Sequence, residues 1–229
     1  MNDIKHIFFD LDHTLWDFNK NSKLTFQQIF EHQKINIDVN DFKKVYTPVN
    51  DEYWKLYREE KVSQTALRYG RLKDTFDKLK FNITDDLIDI IALDYITNLA
   101  NYNNLIEGTI ELLEYLKNNY KLHIITNGFE EVQHLKLKNS NIKNYFDVII
   151  TSESVGVKKP NPKVFEFAVQ SVGVQPHNCV MIGDSYEADV LGAFKSGMLP
   201  IHFNDQNSYS IPDKSFISVS RLLDIKQYL

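Results

Sequence analysis

A single cysteine, Cys179, stands in the 229-residue chain, so no disulfide can close within it. Chains of this kind suit a reducing compartment, and a cytoplasmic location is expected. Val180, Met181 and Ile182 follow Cys179, which predicts a buried thiol rather than a reactive one. Long apolar runs are also missing. Ile7-Phe8-Phe9 and Val148-Ile149-Ile150 fall far short of the ~20 residues that span a bilayer, so no membrane partner is expected. The N-terminus shows no basic segment followed by an apolar stretch and a small-residue cleavage site, and no secretory signal is predicted. Positive charge is outnumbered, with 26 Lys and Arg against 31 Asp and Glu, a formal net charge of −5. No basic stripe is available to neutralise a phosphate backbone, which argues against a nucleic-acid polymer as partner. A small anion is not excluded, because a local site can be positive within an acidic protein. Internal repeats and low-complexity tracts are absent.

What remains is the balance of a soluble globular protein, 43% hydrophobic and 25% charged. The length allows one large domain or a core domain with a smaller insert. Ile4 to Phe9 is a short apolar run without helical period and predicts a buried strand ending at Asp10. From about Ser22 to Leu99 the apolar residues recur at helical spacing, as in Tyr53, Leu56 and Tyr57 or Leu87, Ile88 and Ile91. Four helices and no strand are predicted there. Pro48 is expected to start or break a helix, and Thr84 before Asp85 and Asp86 to cap one.

After Asn104 short apolar strands alternate with amphipathic helices. Strands are predicted at Leu122 to Thr126, Val148 to Ser152, Val180 to Gly183 and, last, Leu199 to Phe203. Helices are predicted at Val132 to Ser140, Pro162 to Val172 and Ala188 to Ser196. Such alternation implies an α/β fold, a parallel sheet covered on both faces. The helical stretch is then an insert after the first strand, with a core domain of residues 1–16 and 104–229 and a cap of residues 17–103.

Ligands of parallel α/β sheets gather outside the carboxyl ends of the strands. Four such ends here carry polar groups: Asp10-Leu11-Asp12-His13-Thr14, Thr126-Asn127-Gly128, Lys159-Pro160, and Gly183-Asp184-Ser185 with Asp189 beyond. Asp10 and Asp12 lie two apart in an extended stretch and start on the same side. With Asp184 they would make a hard, oxygen-only site suited to Mg²⁺ and not to zinc. Thr126 and the amides of Asn127 and Gly128 could cradle phosphate oxygens. Each motif alone also has a plain reading: Asp-x-Asp as a turn or cap, Thr-Asn-Gly as a turn, Lys159 as a surface lysine.

Together and in this order, the motifs closely resemble those of the haloacid dehalogenase superfamily, in the subgroup (IA) with a helical cap inserted after the first strand. The stretch from Gly156 to Phe165 also resembles the family's surroundings of its lysine. The resemblance implies a Rossmann-like core and a Mg²⁺-dependent phosphomonoester hydrolase with an aspartyl-phosphate intermediate. It implies Asp10 as nucleophile, Asp12 as general acid and then base, and Lys159 as the cation beside Asp10. Thr126, Asn127 and Gly128 would bind the phosphoryl group. The metal would be held by Asp10, Asp184 and the backbone carbonyl of Asp12, with Asp189 supporting that shell.

True dehalogenases of the superfamily lack the acid two residues after the nucleophile, so Asp12 points to phosphoryl transfer. Phosphoglucomutase relatives typically carry glycine where this chain has His13. The stretch from Phe8 to Phe18 is similar to the branch of pyrimidine 5'-nucleotidases, which implies a nucleoside monophosphate as substrate. A sugar-phosphate or phosphoglycolate phosphatase, a phosphomutase and a non-catalytic binder of a phosphorylated ligand stand as alternatives. Trp16 would either stack on a base or pack in the core, and His13 would touch substrate or simply end the strand. A monomer or a homodimer is expected.

Overall fold

In the computed structural model, which describes residues 3–205 and 216–229, six strands form one sheet. They are β1 (His6–Phe9), β2 (Lys121–Thr126), β3 (Phe146–Thr151), β4 (Cys179–Gly183), β5 (Leu199–Phe203) and β6 (Ile217–Val219). Their order is β3-β2-β1-β4-β5-β6, and every pairing is parallel. Ile7, Phe8 and Phe9 are fully buried, as a central strand covered on both faces requires. The order is that of a Rossmann-like sheet, and the chain reverses direction across the sheet at β1. The ends of β2, β1 and β4 therefore sit side by side. The sequence pattern predicts Leu199–Phe203 as the last strand, but β6 pairs beyond it in register Ile201↔Ile217. Three residues are too few to show a period, and only the neighbouring strand gives them a partner.

The chain divides into two compact units, Asn19–Tyr102 and the remainder, Met1–Phe18 with Asn103–Leu229. Within the first, α1 (Phe18–Gln33), α2 (Val39–Arg58), α3 (Gln64–Lys78) and α4 (Asp85–Asn98) pack around aromatic rings. Phe26 stacks on Tyr95 with ring centroids 4.5 Å apart, and Phe42 and Tyr46 lie against it at 4.8 Å. Asp38 caps α2 through the amides of Asn40 and Asp41, and Thr84 caps α4 through Leu87. Pro48 neither starts nor breaks a helix, contrary to expectation: it lies inside α2. Its missing N–H and ring cost a helix interior about 3 kcal/mol. The buried face of Phe42, Tyr46, Val49 and Tyr57 offsets that cost.

In the second unit α5 (Thr109–Leu116), α6 (Glu130–Asn139), the single turn α7 (Ser152–Val155), α8 (Pro162–Val172) and α9 (Gly192–Lys195) accompany the sheet. A core cluster joins Phe8, Ile125 and Met181 of the strands to Val164, Phe165 and Ala168 of α8. Cys179 is buried, as expected. The predicted helix Ala188 to Ser196 begins earlier, as a widened π-type turn over Tyr186–Leu191 that runs into α9. Such widened turns recur at functional positions, and this one carries Asp189. Among the described residues no helix is long and apolar enough to cross a membrane.

At the other end of the sheet His123 is 1% exposed, stacked on His6 and bonded to it at 3.0 Å. Burial, reinforced by His6, pushes its pKa down to about 4. An unfolded histidine ionises near 6.5, so His123 contributes stability that is present above that pH and lost as pH falls through about 4. Relative to His123→Gln, the wild type should lose about 2 kcal/mol between pH 7.5 and pH 5 in urea unfolding. A constant difference between the two proteins would show that His123 is not the source.

Candidate active site

Asp10 stands one residue past β1, where its N–H donates to the Ile182 carbonyl at 2.9 Å and continues the pairing with β4. Lys159 reaches it from the loop after α7. The Lys159 ammonium donates to Asp10 Oδ1 at 2.7 Å, to Asp189 Oδ1 at 2.6 Å and to the Ile125 carbonyl at 2.7 Å. Three donors meet three acceptors, and the residue is 2% exposed, so it is not a surface lysine. Its backbone is pinned by Asn127, whose Oδ1 accepts from Lys159 N at 2.8 Å and whose Nδ2 donates to Lys159 O at 2.9 Å. The side chain of Asn127 therefore holds the lysine loop, which leaves the residue's backbone N–H as its candidate contact with a ligand.

Asp184 follows β4 and is oriented by Thr14. The Thr14 hydroxyl donates to Asp184 Oδ1 at 3.2 Å and accepts from Asp184 N at 3.1 Å. His202 lies 2.9 Å from the Asp184 carbonyl, which only accepts, so its Nε2 carries the hydrogen. Asp189 accepts from Ser185 N at 3.0 Å. Gly183 makes room for it: a Cβ there would lie 2.2 Å from Asp189 Oδ2.

Asp10, Asp184 and Asp189 each place a carboxylate oxygen within 4.8 Å of the others. Burial raises the Asp10 pKa to about 8, with Lys159 opposing and the two other carboxylates adding. Burial and then Asp189 raise Asp184 to about 7. Burial works against the Lys159 ammonium, but Asp10 and Asp189 outweigh it and hold its pKa above the usual lysine value. Three acids face one ammonium, so the cluster is short of positive charge. An all-oxygen, anionic set of this kind fits a hard divalent cation such as Mg²⁺. Asp189 belongs to this set and the carboxylate of Asp12 does not.

Asp12 turns to α6 instead. Lys136 Nζ donates to both of its oxygens, at 2.6 and 2.8 Å, and Gln133 Nε2 donates to Oδ2 at 3.1 Å. The same Gln133 nitrogen donates to Thr126 Oγ1 at 2.7 Å, and Gly128 N donates to that oxygen at 3.1 Å. Thr126 thus has both acceptor positions filled and keeps its hydrogen to give. Thr14 belongs to the first motif without a role assigned to it, and Gln133, Lys136 and His202 lie outside every motif. For two of them a signal exists: Gln133 and Lys136 stand with Val132 and Leu137 on the buried face of α6, where polar residues are out of place.

Trp16 is fully buried, with its ring 4.4 Å from the Lys136 ammonium, so it packs rather than stacking on a ligand. His13 adopts φ 62° in the turn after Asp12, and its ring lies 4.8 Å from Phe18. A left-handed turn position of this kind is open to histidine as well as to glycine.

A family profile described as haloacid dehalogenase-like hydrolase matches residues 4–197. The chain is 31% identical to the pyrimidine 5'-nucleotidase YjjG of Escherichia coli, covering 97% of this chain and 96% of that protein. It is 30% identical to a glyceraldehyde 3-phosphate phosphatase of Methanothermobacter thermautotrophicus, covering 98% and 97%. The crystal structure of the HAD-hydrolase YfnB of Bacillus subtilis bound to magnesium superposes with a TM-score of 0.88 at 25% identity, covering 99% and 98%.

Lys159→Met would leave Asp10 and Asp189 buried without their cation. Metal-free protein carrying this change should be about 3–5 kcal/mol less stable in urea at pH 8. A loss below about 1 kcal/mol would show that the buried acids do not depend on Lys159, since protonating a carboxylate at pH 8 is itself costly for a group that ionises at about pH 3.9 when unfolded.

Proposed function

We propose that this chain, which belongs to the haloacid dehalogenase-like hydrolase family, is a phosphomonoesterase that carries the phosphoryl group on Asp10 before passing it to water. The observation that carries the reading is the pairing of two acids in different settings two residues apart. Asp10 is buried against the Lys159 ammonium at 2.7 Å, while Asp12 is held clear of the acid cluster by α6. One acid is set up as a nucleophile and the other for proton exchange.

In the first half, an Asp10 oxygen forms a bond to phosphorus as the phosphorus–ester oxygen bond breaks, and Asp12 gives its proton to the departing oxygen. In the second half, Asp12 takes a proton from water, whose oxygen bonds to phosphorus while the phosphorus–Asp10 bond breaks. Orthophosphate leaves and Asp12 is protonated again. Lys159 offsets charge on Asp10 throughout, and the Thr126 hydroxyl, with the backbone amides after it, donates to the phosphoryl oxygens. Mg²⁺ at Asp10, Asp184 and the Asp12 carbonyl, with Asp189 beside them, would supply the positive charge that lets an anionic nucleophile meet an anionic ester.

The substrate we assign is a nucleoside 5'-monophosphate, pyrimidine rather than purine. Support comes from the sequence around Asp10 and from the relatives named pyrimidine 5'-nucleotidase in Escherichia coli and Streptococcus pneumoniae. Buried Trp16 adds nothing to it. A second reading, a phosphorylated aldose or triose, is favoured by the relatives named glyceraldehyde 3-phosphate phosphatase. Phosphate release from dTMP, dUMP and UMP should exceed that from glyceraldehyde 3-phosphate and ribose 5-phosphate by about tenfold or more in kcat/KM. Equal or higher rates on the sugar phosphates would overturn the nucleotide assignment.

Chelation of divalent ions should abolish turnover, and added Mg²⁺ should restore it. Asp10→Asn should remove phosphate release on every ester. Full activity in excess chelator would sink the metal assignment, and an active Asp10→Asn variant the nucleophile.

A further inference from the structure

We propose that Gln133 and Lys136 are positioning residues that hold the Asp12 carboxyl and the Thr126 hydroxyl in the orientation in which each meets the ester. This role presupposes the phosphatase reading above and extends it to two side chains on α6.

Gln133 and Lys136 lie three apart on one helical face and are 0% and 3% exposed. A lysine so deeply buried needs a reason for its charge. Here the reason is Asp12, with the Trp16 ring centroid 4.4 Å from the ammonium. The Gln133 atom that faces Asp12 is the amide nitrogen, because an ionised carboxylate only accepts. Both of that nitrogen's hydrogens are engaged, one on Asp12 and one on Thr126. One side chain therefore fixes the proton-exchanging acid relative to the hydroxyl that meets the phosphoryl oxygens. Gly128 keeps the space for it, since a Cβ there would lie 2.3 Å from the Gln133 nitrogen.

Donor polarity does the rest. An ammonium has three hydrogens and nothing that accepts, and the amide presents its nitrogen. When Asp12 carries its proton, neither group facing it can take that proton, so the O–H is left to the departing ester oxygen. When Asp12 is ionised, the same two groups still donate to it, and its carboxylate stays in place to take a proton from the attacking water. The Thr126 hydroxyl is governed in the same way by Gln133 and the Gly128 amide.

A misaligned acid harms esters in proportion to their need for a proton. Nitrophenolate departs without one and an alkoxide does not. The test compares kcat/KM for 4-nitrophenyl phosphate with that for dTMP or glyceraldehyde 3-phosphate, whichever wild type turns over faster. This parameter covers the steps through departure of the leaving group. In Lys136→Met the alkyl ester should fall about 100-fold and the aryl ester less than about fivefold. Lys136→Arg, which keeps a donor-only cation, should recover much of the loss on the alkyl ester. If Lys136→Met does not fold, Gln133→Glu offers the same comparison, because it nearly keeps the shape and reverses the donor; the alkyl ester should again suffer more. Parallel losses on both esters, with Arg no better than Met at position 136, would overturn the positioning role alone. Wild-type protein that hydrolyses neither ester would overturn the phosphatase reading and this role with it.

Discussion

The three hydrogen bonds of the Lys159 ammonium are the constraint on which the site depends. They tie the residue after the central strand, Asp10, to the widened turn that carries Asp189 and to the end of β2 through the Ile125 carbonyl. A charge taken this far out of water is tolerable only if all its donors are satisfied and opposite charge is close. That requirement explains features that otherwise look unrelated. Asn127 must hold the lysine backbone from both sides, and Gly183 must lack a Cβ so that Asp189 can reach. The acids outnumber the ammonium, so the same burial that fixes the lysine leaves the cluster open to a divalent cation.

Two environments for two neighbouring acids follow from the topology. β1 lies between β2 and β4, and its end therefore faces the Thr126 segment on one side and the Asp184 segment on the other. Asp10 belongs to the side of acids and lysine, whereas Asp12 belongs to α6 through Lys136 and Gln133. A turn with His13 in the left-handed region separates them from the buried Trp16. The division of labour we propose between a nucleophile and a proton carrier thus follows from which strand end each acid faces. The residues themselves are chemically alike.

Much of this was legible in the chain. Short apolar runs ending in Asp10, Thr126 and Gly183 identify parallel strands and the ends that carry polar residues, because burial on both faces leaves no room for alternation. Helical periodicity marks the insert, and Thr84 with Asp85 and Asp86 marks a helix start, because capping is local. Pro48 misled because a propensity of about 3 kcal/mol yields to a buried aromatic face that only the packed helices create. β6 was invisible because three residues have no period without a partner strand.

The sequence by itself determined five of the six strands, the helical periodicity of the stretch after β1 and the polar residues at the strand ends, because these rest on local pattern and spacing. Tertiary structure decided what each of them touches. It put Asp189 in the acid cluster, gave the Asn127 side chain to the Lys159 backbone and buried Trp16. It also brought Gln133 and Lys136, more than a hundred residues along the chain, onto Asp12. Contacts of that separation have no trace in spacing, since they exist only once the sheet has ordered its strands and α6 has turned one face inward.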